Sequence, residues 1–522
     1  MITVRKDIPL PPRQSPALVL PLVLAAAKLV LHLGLSGRYG YHRDELYFIE
    51  CGKHLSFGYV DHAPLVPWLA RFSGELFGSQ SLFALRFFSA IAGALAVFLT
   101  VRLVEQFGGG RFAQFTAGLA MLAAPAYLRM GSLLCLPVFE VCIWTAASYL
   151  IVRLVREDNP KLWPLVGFVA GLGLLNKHTM LLWGLGLAVG LVATEQRKQL
   201  RSPWLWAGAA LALTIFIPNL LWQQRHQWAT LEFITHINDD QLRHIPRSLF
   251  LLGQLLYMGP AALPVWAAGL CFFFSATGTG RLYRPLGWIF LTALLVLLVT
   301  HGKPYYLAPA YPPLFAGGAV LLERVLAGRR WARRGLLVGL LLVGGFTAMF
   351  SLPLLPLRTA DRLIEGLLGS VVRPTDLTME LHDEYGWPEQ AAAVAQVYRQ
   401  LPRLDQARCA ILTRNYGQAS AVNFFAAPAG VPRAVSGHMT YYLWGPPAQS
   451  DVVIAYGLPL ADLQAFFEEV REAAVPMEIH PLAPPAESGL KIYVCRRPKR
   501  PLSELWPLFK RYYHGAGLGA GA

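Results

Sequence analysis

Charge is the first scarcity in this sequence. Only 15% of its 522 residues are Asp, Glu, Lys or Arg, against 55% hydrophobic ones, and the mean hydropathy is +0.42. So little charge excludes an intrinsically disordered protein and does not suit a water-soluble enzyme of this length. Acidic residues are scarcer still, 31 against 46 basic ones, for a formal charge of +15. The imbalance is local: residues 1–355 hold 30 Lys and Arg against 15 Asp and Glu, whereas residues 356–522 hold 16 of each. The excess therefore belongs to the oily part, where cations at the ends of apolar segments set topology rather than bind nucleic acid. Cysteine is sparse as well, and none of the six has metal-ligand spacing. Cys51, Cys135, Cys142 and Cys271 read as small hydrophobes. No signal-peptide cleavage pattern precedes the first apolar run, and no internal repeat is visible, which weakens an inverted-repeat transporter.

What the sequence does have is long apolar runs. A bilayer core needs roughly 20 helical residues, and the runs near 16–36, 81–104, 112–128, 132–152, 162–175, 179–194, 204–222, 247–274, 285–300, 307–326 and 335–355 reach or approach that length. The expectation is an α-helical polytopic membrane protein with about eleven transmembrane helices in residues 1–355. The pair flanking Asn176-Lys177-His178 reads as two spans, one broken pair or a re-entrant element. Loops 153–161, 195–203, 275–284 and 327–334 are rich in Lys and Arg and fall on the side of the N-terminal Arg5, Lys6 and Arg13, which predicts that side to be cytoplasmic. Histidine is absent from those loops, while His42, His54, His62, His178, His226, His236, His244 and His301 lie in or beside outward segments. Any chemistry is expected to face outward. Lys28 and Glu140 fall inside apolar runs, where an unpaired charge costs about 3 kcal/mol on insertion scales. Each is expected to face the bundle interior or a partner, one arrangement being a pair with each other.

Beyond residue 355 the composition becomes that of a soluble domain. Residues 356–522 are expected to form a small outward-facing α/β domain, with helical spacing over Leu377–Val397, short strands over Arg408–Thr413, Asp451–Tyr456 and Lys491–Arg496, and an amphipathic Leu460–Val470. Cys409 and Cys495 sit in two of those strands. A disulfide in an oxidising compartment and two buried free thiols are both open.

The first outward loop, Tyr39 to Arg71, is polar at its head yet keeps a helical pattern through Leu46, Tyr47, Phe48 and Ile49 and again through Leu65, Val66, Trp68 and Leu69. Such segments lie in the membrane interface rather than cross it. Asp44 and Glu45 stand where the first span emerges, and Asp61-His62 precede the second interfacial segment. Carboxylates held at a membrane surface among aromatics are costly to desolvate and point to function. The competing reading is that Asp44 caps a helix while Glu45 pairs with Arg43 or Lys53.

The run His42-Arg-Asp-Glu-Leu-Tyr47, with Gly58-Tyr-Val-Asp-His-Ala-Pro-Leu65, resembles the first outer loop of glycosyltransferase family 39, which includes the protein O-mannosyltransferases and, more distantly, the lipid A aminoarabinose transferases. The resemblance continues in Pro137-Val-Phe-Glu140, Gly171-Leu-Gly-Leu-Leu-Asn-Lys-His178, Phe216-Ile-Pro-Asn-Leu-Leu-Trp-Gln223, Gly302-Lys-Pro-Tyr-Tyr-Leu-Ala-Pro-Ala-Tyr-Pro312, Asn415-Tyr-Gly-Gln418 and Ser436-Gly-His438, so it covers most of the chain. Ala63 departs from it, standing where the family usually shows a second proline. The resemblance implies a GT-C-like membrane enzyme that takes a sugar from a polyprenyl-phosphate carrier. With inversion, it gives the sugar to a protein, lipid A, glycolipid or polysaccharide acceptor on the outer face of a bacterial-type cytoplasmic membrane.

Asp44 matches the family's catalytic acidic position and is the candidate base, with Glu45 positioning the acceptor or tuning its neighbour. A phosphate leaving group needs little general-acid help, so the other demand is for cations. Lys303 with Tyr305 and Tyr306, and Lys177 with His178, are the candidates to hold the donor phosphate. Asp61, His62, Glu140, His42 and Arg43 are expected to line the substrate cleft. As metal ligands Asp61 and His62 are an incomplete set, so the cofactor expectation is either none or a divalent ion. The partners implied are the lipid-linked donor, membrane lipids and the acceptor, with no nucleic acid. The alternative is a multi-span transporter or flippase for a lipid-linked saccharide, which would line the midplane with ionisable groups. Here those groups crowd the outer interface.

Overall fold

The computed structural model describes residues 18–237, 246–276, 278–369, 374–446, 450–474 and 480–513; Arg5, Lys6, Arg13 and His244 lie outside them. The chain divides into two compact units. One comprises Met1–Ser36, Arg86–Leu221 and Leu242–Leu354, the other Gly37–Leu85, Trp222–Gln241 and Leu355–Ala522. The tail thus begins its unit at Leu355, and the first outward loop folds with it.

The first unit is helical, and each of the eleven apolar runs contributes helix to the chain. Full-length spans are fewer than expected. Among the described residues five helices are long and apolar enough to cross a bilayer alone: Leu82–Gln106, Leu136–Glu157, Pro203–Arg225, Thr279–Val299 and Arg330–Ser351. They become six if Arg247–Met258 and Pro260–Phe274, which meet at 87°, count as one. Proline accounts for much of the difference, because it lacks an N–H and clashes with the preceding turn. The run at 112–128 is cut into Arg111–Ala123 and Pro125–Gly131. The run at 307–326 opens as a 3₁₀ turn, Pro304–Ala310, before Tyr311–Val325. Trp163–Asn176 and Met180–Val192 have 14 and 13 residues and are separated by an extended Lys177.

Charge sorts to the two ends of this bundle. At one end Arg281 pairs with Glu195, Lys198 approaches Asp158 at 3.4 Å, and Arg156 donates to the Gln106 carbonyl at 2.9 Å. Arg156 lies near the far end of the helix Leu136–Glu157 that carries Glu140 in its first turns, so about 24 Å of helix separate that end from Glu140. Lys28 does not pair with Glu140. Its Nζ donates to the Tyr127 carbonyl at 2.9 Å, and His32 Nε2 lies 2.9 Å from the Leu128 carbonyl. Both side chains are buried and tie the first helix to the short helix after the proline break. Elsewhere the helices touch backbone to backbone: a methyl on Gly318 would overlap the Val265 carbonyl, and one on Gly269 the Leu314 carbonyl. Small residues permit this approach where lipid offers no hydrophobic drive to associate.

The second unit packs the helices Arg43–Lys53, Leu65–Phe77, Ala229–Ile237, Leu357–Leu368, Pro374–His382 and Trp387–Gln400 with a five-stranded sheet. Its strands are β1 (Cys409–Thr413), β2 (Ala434–Ser436), β3 (Val452–Tyr456), β4 (Phe467–Glu472) and β5 (Ile492–Pro498), in the order β2-β1-β3-β5-β4. β1 runs parallel to β2 and β3, and β5 antiparallel to β3 and β4. Alternation splits their side chains between two cores. Cys409, Ile411, Ile454 and Val494 face Ala391 and Val394 of the long helix, together with Tyr47, Cys51, Tyr59 and Val60 from the outward loop. Ala410, Leu412, Val453 and Cys495 face Leu463, Trp506 and Phe509.

This register decides the cysteine question. Cys409 aligns with Val452 and Cys495 with Val453, so the two thiols project to opposite faces with a whole strand between them. That lies beyond disulfide reach, and both are free. Two expected elements also divide. Leu377–Val397 breaks at Gly386, which has φ +90°, and Leu460–Val470 is a helix, Leu460–Phe466, running into β4.

Gly318→Ala should lower stability in detergent by about 1–3 kcal/mol, the cost of forcing atoms into a filled contact. Gly339→Ala, whose added methyl meets nothing within 4 Å, should be neutral or slightly stabilising. Paired thermal unfolding curves check both.

Candidate active site

In the second unit the site starts from one helix N-terminus. His42 is the N-cap of Arg43–Lys53, with φ −71° and ψ 148°. Its ring Nδ1 accepts the Asp44 N–H at 3.1 Å, while Glu45 Oε2 accepts the His42 N–H at 2.9 Å. This is a capping box with histidine in the place usually held by Ser or Thr. Glu45 is fully buried in it.

Asp44 points the other way and its side chain is 41% exposed. Its Oδ1 accepts the Tyr416 hydroxyl at 2.7 Å, with Arg43 Nε 3.7 Å away. Burial pushes the Asp44 carboxyl up, but the charges of His42 and Arg43 and the Tyr416 hydrogen bond outweigh it and hold its pKa below the ordinary value. Asp61 is shifted oppositely. Its side chain is 18% exposed and accepts the Tyr47 hydroxyl at 2.9 Å. Burial raises its pKa against the opposing effects of His62 and Tyr47, and the Asp44 charge adds to the rise. The two tyrosines stack at 4.5 Å. A pair of carboxylates with separated affinities for protons is the arrangement acid–base sites use, and here the ionised member is the accessible one.

The surrounding groups fix this geometry. His42 Nε2 lies 3.5 Å from Glu380 and 3.8 Å from Asp383. Burial opposes charge on this ring, yet Glu380, Asp44 and Asp383 together push its pKa up to about 9. The cap works against them, because Nδ1 accepts the Asp44 N–H only while it carries no proton. Arg43 Nη2 lies 3.5 Å from Asp383 and its guanidinium 5.7 Å from the Tyr416 ring centre. A methyl on Gly417 would stand 2.5 Å from Arg43 Cγ, so the glycine after Tyr416 makes room for that stem. Asn415 caps the Tyr416–Ala421 helix, and the Asn415 and Gln418 side-chain amides donate to buried Glu487 at 2.9 and 2.7 Å. His62 is buried, with Nδ1 3.0 Å from the Ala63 carbonyl and Nε2 3.9 Å from Cys51 Sγ.

The first unit carries a second cluster. Glu140 accepts from the Thr179 hydroxyl and lies 3.2 Å from Lys177 Nζ. That ammonium also stands 3.9 Å from the Tyr306 ring centre and 5.6 Å from that of Tyr305, a cation–π arrangement. His178 Nε2 is 3.0 Å from Asn219 Oδ1. Lys303 opens the turn Pro304–Ala310. It is partly exposed, and its ammonium has no hydrogen bond or ion pair among the described residues.

The structure therefore gathers Asp44, Asp61, His42, Arg43 and His62 in one unit, and Lys177, His178, Glu140, Tyr305 and Tyr306 in the other, with Lys303 at the head of the tyrosine turn. Glu45 has no accessible surface. Sequence reasoning missed Tyr47, Glu380, Asp383 and Glu487. Tyr47 reads as part of an apolar stripe and as the end of the family-like run, with no role of its own, and the acids carry no spacing signal. Among the described residues no three His, Cys, Asp or Glu side chains stand close enough to share a metal ion.

Residues 61–222 match the family model described as dolichyl-phosphate-mannose-protein mannosyltransferase, which bears out the resemblance read from the motifs. A lipid A galacturonosyltransferase, RgtD, of Rhizobium johnstonii is 22% identical over 188 residues, 36% of this chain and 39% of that one. An undecaprenyl phosphate-α-4-amino-4-deoxy-L-arabinose arabinosyl transferase of Pseudomonas fluorescens is 25% identical over 296 residues, covering 52% of this chain and 51% of that one. The chain thus spans about half or less of the length of these relatives. Crystal structures of ArnT from Cupriavidus metallidurans, apo and bound to undecaprenyl phosphate, superpose with TM-scores of 0.60 and 0.59 at 16% identity, covering 91% of this chain and 97% of theirs. That likeness establishes the fold.

Glu45→Gln preserves a side-chain acceptor for the His42 N–H and should leave the thermal midpoint close to that of the parent. Glu45→Ala should lower stability by about 1 kcal/mol, the usual price of a lost cap. Equal destabilisation of both variants would show that the Glu45 charge, not the cap, is what the fold uses.

Proposed function

We propose that this chain, which carries that family's domain over residues 61–222, is an inverting glycosyltransferase moving a sugar from a polyprenyl-phosphate carrier to a glycolipid acceptor of the lipid A class. The observation that carries the reading is Asp44: an ionised, half-exposed carboxylate fixed at a helix N-terminus, with Oδ1 held by Tyr416 and Arg43. Among the described residues Oδ2 has no hydrogen bond or ion pair. In the proposed reaction an acceptor hydroxyl attacks the anomeric carbon on the face opposite the phosphate. The bond from that carbon to the phosphate oxygen breaks, the electron pair leaves with the phosphate, and the hydroxyl proton passes to Asp44 Oδ2. Lys303, the partly exposed cation beside the tyrosine turn, and Lys177 offset the charge gathering on the departing phosphate.

The relatives named for lipid A and for an undecaprenyl-phosphate sugar, and the undecaprenyl phosphate bound in ArnT, support the lipid-linked donor and the acceptor class. Clustering of basic loops at one end of the first unit supports placing that end in the cytoplasm, hence the Lys177–Tyr306 end, and the reaction, at the outer face of a bacterial-type cytoplasmic membrane.

Asp44→Asn should lower kcat at least about a hundredfold, the range assigned to a positioned base, while donor binding persists. Lys303→Ala should instead raise the donor KM about tenfold, as expected for losing one contact to a charged group. Transfer measured with a radiolabelled polyprenyl-phosphate sugar separates the two effects. Retained turnover in Asp44→Asn would remove that carboxylate from the mechanism.

Only ionised Asp44 accepts a proton. Because its pKa lies below the ordinary carboxylate value, the rate should stay level through neutral pH and fall only under acid conditions. A pH–rate profile of kcat/KM checks this.

A further inference from the structure

We infer that Tyr416, supplied by the C-terminal segment 372 residues beyond Asp44, is the positioning residue that aims Asp44 by holding Oδ1 and leaving Oδ2 to the acceptor. The inference rests on the transfer reaction proposed above and names a part of its machinery that lies outside the membrane-embedded segments. The phenol is fixed from several sides. Its hydroxyl donates to Asp44 Oδ1 at 2.7 Å. Its ring stacks with that of Tyr47, at 4.5 Å, and with that of His438, at 5.1 Å and 13°.

His438 is itself set by the end of the chain. Its Nε2 lies 3.0 Å from the Tyr513 carbonyl, which can only accept, so the ring proton sits on Nε2. Nδ1 then presents its lone pair to the Tyr416 N–H, 3.4 Å away. The segment around Tyr513 is held in turn. Arg511 N–H donates to the Gly437 carbonyl at 2.9 Å, and Met439 N–H to the Arg511 carbonyl at 3.0 Å. A line of contacts therefore runs from Tyr513 through His438 and Tyr416 to the carboxylate. A catalytic group gains from support whose own geometry is locked, and a side chain held by two stacked rings has little freedom to swing away.

The groups facing Asp44 are His42 and Arg43 on its own helix, Glu380 from a second helix, Tyr416, and Asp61. Of these, Tyr416 is the neutral donor whose hydroxyl can be deleted without changing charge or shape. Tyr416→Phe keeps both ring stacks, so folding is expected to survive. The hydrogen bond favours the ionised carboxyl, so its loss raises the Asp44 pKa, and the acid limb of kcat/KM should move up by about one pH unit. kcat at neutral pH should fall about tenfold with the donor KM unchanged, since alignment and not donor binding is lost. His438→Asn, which can keep an acceptor near the Nδ1 position, should retain more activity than His438→Ala.

A second readout does not depend on turnover. Carbodiimides attack protonated carboxyls, so the pH midpoint of Asp44 labelling, mapped by mass spectrometry on the full-length protein, should rise by the same amount in Tyr416→Phe. An unchanged midpoint and an unchanged acid limb would overturn the role given to Tyr416. Absence of sugar transfer by the parent protein would instead overturn the proposed reaction, while the labelling midpoint would still decide the contact.

Discussion

Burial of the helix Arg43–Lys53 is the constraint on which the candidate site depends. Every residue from Glu45 to Gly52 is buried, and that stretch contains two carboxylates. A buried carboxylate without partners costs several kcal/mol. Glu45 is satisfied by closing the capping box, and Glu50 by Lys53 Nζ at 2.6 Å, by Arg433, and by Asn423 Nδ2 at 3.4 Å. Arg433 and Asn423 belong to the tail, and Tyr47, Cys51, Tyr59 and Val60 share its core. The outward loop and the tail therefore order each other, and Asp44 is the acid left half exposed on a helix that cannot rotate.

The apolar part of this architecture is legible in one sequence because hydrophobic runs report burial or lipid exposure directly. All eleven runs are helical, and the centres of the three expected strands, 408–413, 451–456 and 491–496, fall inside β1, β3 and β5. Run length was less informative, because Pro125, Pro260 and Pro309 divide or bend helices that composition alone joins. β2 has three residues, too few to show alternation, and β4 follows a helix without any turn residue between them.

Polar pairing is where the sequence falls silent. Local chemistry is readable: the resemblance points to Asp44 as the candidate base, and it is the accessible acid of its pair. Its hydrogen bond to Tyr416 joins residues 372 apart, and no spacing rule reaches that far. Histidine as an N-cap was equally hidden, since the usual cap residues are Ser, Thr, Asp and Asn. Lys28 and Glu140 show the same difficulty from the other side. Each carries a charge that needs a partner, and the partners are the Tyr127 carbonyl and Lys177 rather than one another.

Within each unit, the side chain available for chemistry is the one whose bonding capacity is left unfilled. Lys177 is occupied by Glu140 and by the face of Tyr306; an anion approaching it meets a carboxylate already in place, so the ion pair must loosen before Lys177 can serve a phosphate. Lys303 has no such competitor among the described residues and can offer its full charge without losing an existing contact, although it lies in the same turn as the tyrosines. Asp44 follows the same rule: Oδ1 is taken by Tyr416, Oδ2 is open, and the neighbouring Glu45 and Glu50 have spent their oxygens on structure. Occupied partners hold the geometry, and the unoccupied atom of each cluster is the one a substrate can reach without first breaking the fold.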